Sequence, residues 1–299
     1  MGLADNSVAE RNSRKLLSRV KMSCPYMAQI PVFYINLAAR PDRRAFMESQ
    51  LGKLGMEAKR IDALTPDDLT EEQRDTYCNP RQLHSMSERQ YCCNLSHARA
   101  WGALLASRAS VGLILEDDVI LSASLPRFLV AVATQKPSLD VIRIETWPAG
   151  PKRYRSADYW ALPEIGLREC LSWDAGAAGY ILERDAALRL IDEPDLHTSL
   201  VDTMLFNPFG RVGRSLAVRQ TDPGLCIQLM RSEPQASLAS SDLAKGIVEY
   251  RGARDRNHGH RLLRRVNGWI GYDLPKSIAR VKQIGWRDIS TQSIPFSPD

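Results

Sequence analysis

The sequence predicts an α/β fold with a mixed central sheet that is flanked by helices. Short runs rich in β-branched and aromatic residues alternate with segments of helical periodicity, and the first three segments form a β-α-β unit. The composition is 44% hydrophobic and 25% charged, which excludes disordered and collagen-like chains. With 299 residues, the chain can form one large domain or two small ones.

The opening unit begins with PVFYINL (31–37), a short run that is typical of a strand. The helix that follows starts at Pro41 and Asp42, and Gly55 stands where a C-cap belongs. Its apolar face consists of Phe46, Met47, Leu51 and Leu54. AKRIDAL (58–64) is predicted to be the second strand.

The middle of the chain continues the alternation. Residues 65–86 are polar and loop-like, with a short acidic helix at 66–76. Ser87 is a suitable N-cap for the helix SERQYCCNLSHARAWGALLAS, whose apolar residues keep helical spacing. VGLILEDD then predicts a buried strand that ends in acids. A helix near 125–135 and the strand LDVIRIE (139–145) follow.

The last part of the α/β body starts with a segment that we expect to be loop-rich, 147–170. AAGYILE (177–183) predicts a strand, RDAALRLI a helix and SLAVRQ (215–220) the last clear strand. SEPQASLASSD, after residue 230, has the composition of a linker. We therefore expect an N-terminal arm at 1–29, an α/β domain at 30–230 and a basic tail at 231–299.

The net charge of +5 is concentrated in the tail. Only Asp255 and Asp273 oppose the basic residues of this stretch, which are Arg251, Arg254, Arg256, Arg261, Arg264, Arg265, Lys276, Arg280 and Lys282. This imbalance suits phosphate-rich partners, namely an anionic membrane surface, a lipopolysaccharide precursor or nucleic acid.

Localisation and redox state follow from what the sequence lacks. It has no apolar run long enough to span a membrane, and the N-terminal stretch is too polar for a secretory signal. We therefore expect a cytoplasmic protein, either free in the cytosol or peripheral on the inner membrane. The six cysteines lack CxxC or metal-ligand spacing, so we expect reduced thiols that fill space.

Three consecutive carboxylates follow the strand LILEDD, namely Glu116, Asp117 and Asp118. Ligands of open α/β sheets bind beyond the carboxyl ends of the strands. Adjacent carboxylates repel one another, and Mg²⁺ or Mn²⁺ would remove that penalty while neutralising a diphosphate leaving group. The alternative is that these acids cap the next turn in contact with solvent.

Four blocks, in order, carry a resemblance to a known family: FYINLAARPDRR, CNLSHARAW, LILEDDV, and GAAGYILERDAALRLI followed by LVDTMLFNP. Over about 31–220 the chain resembles glycosyltransferase family 25, the bacterial lipooligosaccharide galactosyltransferases and their procollagen relatives. Cys92 stands where the family usually has glycine.

The resemblance implies a GT-A-type fold that binds a nucleotide sugar, with the EDD run at the family's metal-binding acidic motif. It also implies an inverting displacement in which a base deprotonates an acceptor hydroxyl group. The expected reaction transfers a hexose, most simply galactose from UDP-galactose, to a saccharide of lipopolysaccharide or lipooligosaccharide.

Within these blocks, Asn36 is a candidate for reading a nucleobase edge or for capping the next helix. Arg40, Arg43 and Arg44 lie at a helix start, where cations oppose the dipole, so a ligand phosphate explains them better than a solvated face. Of the three, we assign Arg40 and Arg44 to the donor. Arg43 and Arg44 point different ways, so not both need bind. His97, in mid-helix, either faces the donor or is structural.

Gly176 and Gly179 flank the small-residue run AGAAG, which permits close approach of the donor or forms a tight turn, and we assign Gly179 to the donor. Asp202 is the first candidate for the catalytic base, on an acceptor-side turn, and its alternative role is to cap the short helix that follows. Asp174 and Glu145 are weaker candidates for the base.

The segment HRLLRRVNGWIGYDLPKSIARV places a cationic stripe beside an apolar one, which is typical of an interfacial helix. We expect it to dock on the cytoplasmic face of the inner membrane, near a lipid-linked acceptor; the alternative is a solvated helix folded onto the body. Two rival functions use the same features: a nucleic-acid-binding protein with this tail, and a metal-dependent phosphohydrolase with the EDD acids.

Overall fold

The computed structural model describes residues 30–147, 150–157, 162, 164–232, 250–251, 258–284, 286 and 288–299. The predicted N-terminal arm, 1–29, and most of the linker that follows residue 232 lie outside the described residues. Cys24 also lies outside them, and the five described cysteines are all free thiols, as the sequence predicts.

Eleven strands are described: β1 Val32–Asn36, β2 Ala58–Asp62, β3 Val111–Glu116, β4 Val119–Leu121, β5 Val141–Arg143, β6 Lys152–Ala157, β7 Gly166–Cys170, β8 Gly179–Glu183, β9 Val218–Asp222, β10 Cys226–Gln228 and β11 Ile289–Gln292. The longer helices are α1 Pro41–Lys53, α2 Glu88–Ser107, α3 Leu125–Gln135, α4 Arg184–Ile191, α5 Val201–Phe206, α6 His258–Gly268 and α7 Leu274–Lys282. Shorter helical segments are Pro66–Asp68, Glu71–Gln73, Arg74–Cys78, Pro194–His197, Gly213–Ser215, Leu229–Ser232 and Trp269–Asp273.

Nine of these strands form one sheet in the order β11-β6-β7-β9-β5-β8-β3-β1-β2. Strands β2, β1 and β3 run parallel, whereas β8 is antiparallel to both of its neighbours, β3 and β5. The predicted mixed central sheet is therefore confirmed. Because β1 and β3 are adjacent and parallel, Asn36 and the acids after Leu115 lie at the same edge of the sheet.

The core lies on both faces of the sheet because successive residues of a strand point to opposite faces. In β3, Leu113 and Leu115 belong to a cluster that includes Met47 of α1 and Phe128 of α3. Ile114 belongs to a second cluster, built with residues of α2 and α4. Full burial of one such side chain contributes about 1.5–3 kcal/mol, so these two clusters hold the β3 edge rigidly in place.

Local signals explain the two helices that border the site. In α1, Pro41 occupies the first turn, and Gly55 adopts a φ of 65° just beyond the helix end. In α2, Ser87 and Gln90 form a capping box, in which each side chain bonds the other residue's backbone N–H group. Both helices therefore begin where the sequence predicts.

Two strands, β6 and β7, lie within the described part of 147–170, the segment that the sequence suggested would be loop-rich. Tyr154 and Leu167 face the core of these strands, but arginines alternate with them on the other side. Strands with one solvated face lack the continuous apolar run by which β1 and β3 are recognised.

The last residues of the predicted tail, 231–299, pack onto the α/β body. β11 pairs antiparallel with β6 at the edge of the sheet. Beyond it, the Pro295 carbonyl accepts from Gly224 N–H at 2.8 Å, and the Pro298 carbonyl accepts from Ala123 N–H at 3.0 Å. SLAVRQ is therefore not the last strand, and a boundary near 230 does not separate the body from everything that follows it.

Candidate active site

A cavity of about 560 Å³ opens at the carboxyl ends of β1 and β3. Its walls come from the loop after β1, residues 63–66, the first half of α2, the acid run, the loop 175–177 and residues 200–202. Trp147, Gln228 and Met230 complete the lining. Six residues predicted from the sequence are among those that line it: Arg40, His97, Glu116, Asp117, Asp118 and Asp202.

Asp117 is anchored within the protein through both carboxylate oxygens. Arg43 Nη1 donates to Oδ1 at 2.9 Å, and Asn36 Nδ2 donates to Oδ2 at 2.7 Å. The remaining amide oxygen of Asn36 accepts from Arg60 at 3.0 Å, and Asn36 is not among the described residues that line the cavity. In this geometry Asn36 positions an acid, while a nucleobase contact by Asn36 stays a prediction.

Asp118 is bonded through only one of its two oxygens. Arg43 Nη2 lies 3.2 Å from Oδ2, whereas Oδ1 is buried and has no hydrogen-bond partner among the described residues. A buried carboxylate oxygen without a partner is costly, and a bound cation would compensate it. The Asp118 Oδ1 atom is therefore the atom of the acid run that a cation would satisfy most directly.

The pKa values of Glu116 and Asp118 also favour a bound cation. Burial raises the pKa of both carboxyl groups, the charge of Asp117 raises the pKa of Glu116 further, and Arg43 opposes these effects. Carboxylate oxygens are the ligands that Mg²⁺ and Mn²⁺ prefer. Asp118, whose Oδ1 atom has no partner, fits a hard divalent cation best. Asp117 accepts short bonds at 2.9 Å and 2.7 Å, whereas the contacts to Glu116 are longer, at 3.3 Å and 3.2 Å, so Glu116 is the better second ligand.

Arg43 lies in the cavity wall, although the sequence analysis assigned only Arg40 and Arg44 to the donor. It is buried, lines the cavity and bridges Asp117 and Asp118. The signal was present in the sequence, because Arg43 lies four residues before Met47 and eight before Leu51, on the buried face of α1.

The two arginines beside Arg43 differ from it. Arg40 bonds Asp42 at 2.9 Å. It also lines the cavity, so its guanidinium group can contact a ligand there. Arg44 lies outside the lining, is about half exposed and pairs with Glu48 across one turn of α1 at 2.8 Å. A donor contact by Arg44 stays a prediction.

His97 links the core of the protein to Glu116. The ring is fully buried, and burial lowers its pKa to about 4, so it is neutral at pH 7 and carries one N–H group. Nε2 lies 3.3 Å from Glu116 Oε1, and Nδ1 lies 2.9 Å from the Tyr180 hydroxyl group. The tautomer that satisfies both partners donates from Nε2 to Glu116 and accepts at Nδ1 from Tyr180.

The same hydrogen-bond chain continues behind Tyr180. Trp101 Nε1–H donates to the Tyr180 oxygen at 2.7 Å, which leaves the tyrosine proton for His97. Gln228 donates to the second oxygen of Glu116 at 3.2 Å. Glu116 is therefore oriented from two sides.

Cys93, His97 and Glu116 form a second group of metal-ligand types, because their ligand atoms lie within 4.8 Å of one another. Metal binding through His97 Nε2 would require the proton to move to Nδ1. The Tyr180 hydroxyl proton would then lose its acceptor. This hydrogen-bond chain therefore favours the carboxylate pair over the Cys-His-Glu group.

A buried cluster of charged side chains bonds to the backbone of the loop 174–178. Glu145 Oε2 accepts from Ala178 N–H at 2.9 Å, and Arg143 donates to the Ala175 carbonyl and pairs with Asp174 at 3.3 Å. Burial raises the pKa of Glu145 to about 8. Glu145 and Asp174, the weaker base candidates, are not among the described residues that line the cavity.

Gly176 is the glycine of this loop that faces the cavity. Its φ is 96°, and a Cβ atom there would lie 2.6 Å from Glu145 Oε1, so only glycine fits. Gly179, the glycine chosen from the sequence, is buried outside the lining, and a Cβ atom there would meet Cys226 Sγ at 2.2 Å. The geometry gives Gly179 a packing role, and a donor contact by it stays a prediction.

Asp202 lies in the first turn of α5 and lines the cavity. Its Oδ2 atom accepts from Gly176 N–H at 3.1 Å, and Oδ1 accepts from Thr203 within the same helix turn. Leu200 is the N-cap of α5, so Asp202 lies within the helix and does not cap it. The role of Asp202 as catalytic base stays a prediction.

Comparisons with known proteins show which family the chain resembles. The family model described as "Glycosyltransferase family 25 (LPS biosynthesis protein)" matches residues 29–205, more than half of the chain. The chain is 27% identical over 266 residues to the lacto-N-neotetraose biosynthesis glycosyltransferase LgtE of Neisseria gonorrhoeae, covering 83% of this chain and 93% of the relative.

Two further relatives have shorter matches. The lacto-N-neotetraose biosynthesis glycosyltransferase LgtB of Neisseria meningitidis serogroup B is 30% identical over 212 residues, covering 65% of this chain and 74% of the relative. The lipooligosaccharide biosynthesis protein lic2B of Haemophilus influenzae is 24% identical over 208 residues, covering 66% and 75%.

Proposed function

The chain belongs to glycosyltransferase family 25, and from this premise we propose that it transfers galactose from UDP-galactose to a lipopolysaccharide or lipooligosaccharide saccharide. The observation that carries the proposal is the buried, unpartnered Asp118 oxygen in a cavity lined by Arg40 and Arg43. The cavity volume of about 560 Å³ lies within the range of small-molecule sites.

The donor's diphosphate group is proposed to bind near Arg40 and the acid run. Arg40 lines the wall next to the first strand, at the edge of the sheet where α/β proteins bind nucleotides. Its planar guanidinium group suits phosphate oxygens. Arg43 keeps Asp117 and Asp118 in place, so that the acids keep their spacing when the donor enters.

A divalent cation, Mn²⁺ or Mg²⁺, is part of the proposal. Glu116 and Asp118 would hold it, and it would supply positive charge that stabilises the UDP leaving group. His97 and Gln228 fix the two oxygens of Glu116 for this purpose.

Asp202 is the proposed catalytic base of an inverting displacement. As the acceptor hydroxyl oxygen forms its bond to the anomeric carbon, Asp202 takes the hydroxyl proton and the bond to the UDP oxygen breaks. Gly176 N–H holds Asp202 Oδ2 at 3.1 Å and fixes the direction from which the carboxylate approaches.

The fold is proposed to be of the GT-A type, and the protein is proposed to act at the cytoplasmic face of the inner membrane on a lipid-linked saccharide. Among the residues that the structure describes, no helix has both the length and the apolar character needed to cross a bilayer.

A thermal-shift screen across UDP-hexoses, with and without Mn²⁺, tests the donor, because a ligand that binds only the native state raises the melting temperature. We expect the largest shift with UDP-galactose and Mn²⁺. Transfer to a lipooligosaccharide acceptor then tests catalysis, and Asp118→Ala should abolish it. Phosphate release without transfer would favour the phosphohydrolase, and nucleic-acid retention without nucleotide binding would favour the other rival.

A further inference from the structure

The segment 258–286 has an unusual surface. It carries a stripe of exposed apolar side chains, which we call the C-terminal stripe: Leu262, Val266, Trp269, Ile270, Leu274 and Ile278. Leu262 is 69% exposed and Trp269 is 56% exposed. In the rest of the described chain, large apolar side chains with comparable exposure are scattered singly, as at Val130 and Leu188. Contiguous exposed apolar surface of this kind marks an interaction site.

The stripe is continuous because of helical spacing. Helix α6, the helical turn Trp269–Asp273 and α7 follow one another without a break. Leu262, Val266, Ile270, Leu274 and Ile278 recur every four residues, and each such step rotates an α-helix by about 40°. The wider π-helical turn at Trp269–Asp273 offsets part of this rotation, so the five side chains stay on one side of the segment. At a rise of 1.5 Å per residue, this face extends over roughly 25 Å.

Other residues of the same helical segment hold it against the body. Arg264 donates to the carbonyl groups of Leu83 at 3.1 Å and Gln82 at 2.9 Å, and Tyr272 packs edge-on against Phe209. The loop at 80–84 leads directly into α2, whose first turns contribute to the cavity wall. The stripe therefore belongs to a segment that is anchored beside the cavity, and it faces away from the body.

The charges beside the C-terminal stripe indicate which kind of partner it binds. Arg265, Arg280 and Lys282 are exposed, and Asp273 is the single acid between residues 258 and 286. A second copy of this face would bring cations of both copies together, and a nucleic acid would leave the apolar side chains in water. An anionic membrane surface satisfies both features, because its headgroups attract the cations and its interface accepts the apolar side chains.

We propose that the C-terminal stripe docks the protein on an anionic membrane surface, with Trp269 and Ile270 entering the interface. Docking in this orientation would present the neighbouring cavity to a saccharide that is carried by a lipid. The inference deepens the proposed function by locating its acceptor, but membrane binding itself does not depend on catalysis.

Vesicle flotation of the full chain tests the proposal. The probes are vesicles of phosphatidylcholine alone and vesicles that also contain phosphatidylglycerol. We expect flotation with the anionic vesicles that falls at high salt and in Arg265→Glu/Arg280→Glu. Trp269→Ser/Ile270→Ser should weaken partitioning by about tenfold or more.

The matched control is Val130→Ser/Leu188→Ser, which removes two apolar side chains of about 50% exposure outside the stripe and should float like the wild type. Equal flotation of the stripe variant and the wild type would overturn the proposal, as would no flotation of the wild type. A dimer in sedimentation that Trp269→Ser/Ile270→Ser disperses would assign the stripe to a second copy instead. A UDP-galactose thermal shift that persists in the stripe variant shows that it is folded, and it separates failure of docking from failure of the proposed donor.

Discussion

Replacing Gly176 by alanine perturbs the cavity wall without changing a charge or a hydrogen-bonding group. The new methyl group would lie 2.6 Å and 2.7 Å from the two carboxylate oxygens of Glu145. Because Glu145 is fully buried and bonded to Ala178 N–H, its carboxylate has little room to retreat. The loop must therefore move, and with it the N–H group that holds Asp202.

The magnitude follows from two costs. A residue with a Cβ atom at a φ of 96° costs about 1–2 kcal/mol, and overpacking a filled site costs about 1–3 kcal/mol more. We expect Gly176→Ala to lower the free energy of unfolding by about 2–5 kcal/mol. A small displacement of Asp202 should also lower kcat by about tenfold to a hundredfold.

Urea unfolding and transfer kinetics measure these effects. Gly52→Ala is the matched control, because a Cβ atom at Gly52 meets nothing within 4 Å and the position is helical, so it should be neutral or stabilising by up to about 1 kcal/mol. In a double-mutant cycle, Glu145→Ala should relieve the clash part of the Gly176→Ala cost. If Gly176→Ala matched Gly52→Ala in stability and turnover, the loop would not be held as described.

Three further predictions follow. Because the pKa of Glu145 is raised to about 8 from 4.5, the folded state binds its proton more tightly than the unfolded state, so stability should fall as pH rises between these values. Glu145→Gln should flatten the pH dependence of the melting temperature, and an unchanged profile would show that Glu145 does not titrate in this window. Tyr180→Phe leaves His97 Nδ1 without its partner and should lower the free energy of unfolding by about 1–3 kcal/mol in denaturant titrations. No loss would contradict the hydrogen bond between His97 and Tyr180. Arg43→Lys cannot bridge two acids in the same way and should lower turnover by about tenfold or more in transfer assays. Arg44→Ala, outside the cavity, should change turnover by less than about twofold. The reverse order of the two effects would restore the sequence-based role of Arg44.

The sequence predicted the elements whose burial leaves a clear pattern. Strands β1, β3 and β8 are buried on both faces, so each reads as an unbroken apolar run. Helices α1 and α2 carry their own start signals, Pro41 and the Ser87–Gln90 capping box. The acids after β3 followed from the same reasoning, because a core strand that ends in carboxylates must place them at the edge of the sheet.

The remaining features depend on contacts between distant parts of the chain. β6 and β7 alternate arginine with core residues, and β11 is a polar strand whose partner lies more than 130 residues earlier, at Arg155↔Ile289. Sequence alone also cannot tell which glycine of AGAAG has a positive φ, and the choice of Gly179 missed Gly176. Arg43 was not assigned to the site because the sequence analysis considered its charge at the helix start and not its position on the buried face of α1.

Calorimetric titration of UDP-galactose into the full chain tests the central claim most directly, namely that Glu116 and Asp118 hold a cation against the donor's diphosphate. We predict that binding in Mn²⁺ is at least about tenfold tighter than binding in a chelator, and that Asp118→Asn removes this difference while the protein stays folded. Equal affinity with and without Mn²⁺ in the wild type, or a metal effect that survives in Asp118→Asn, would contradict the account.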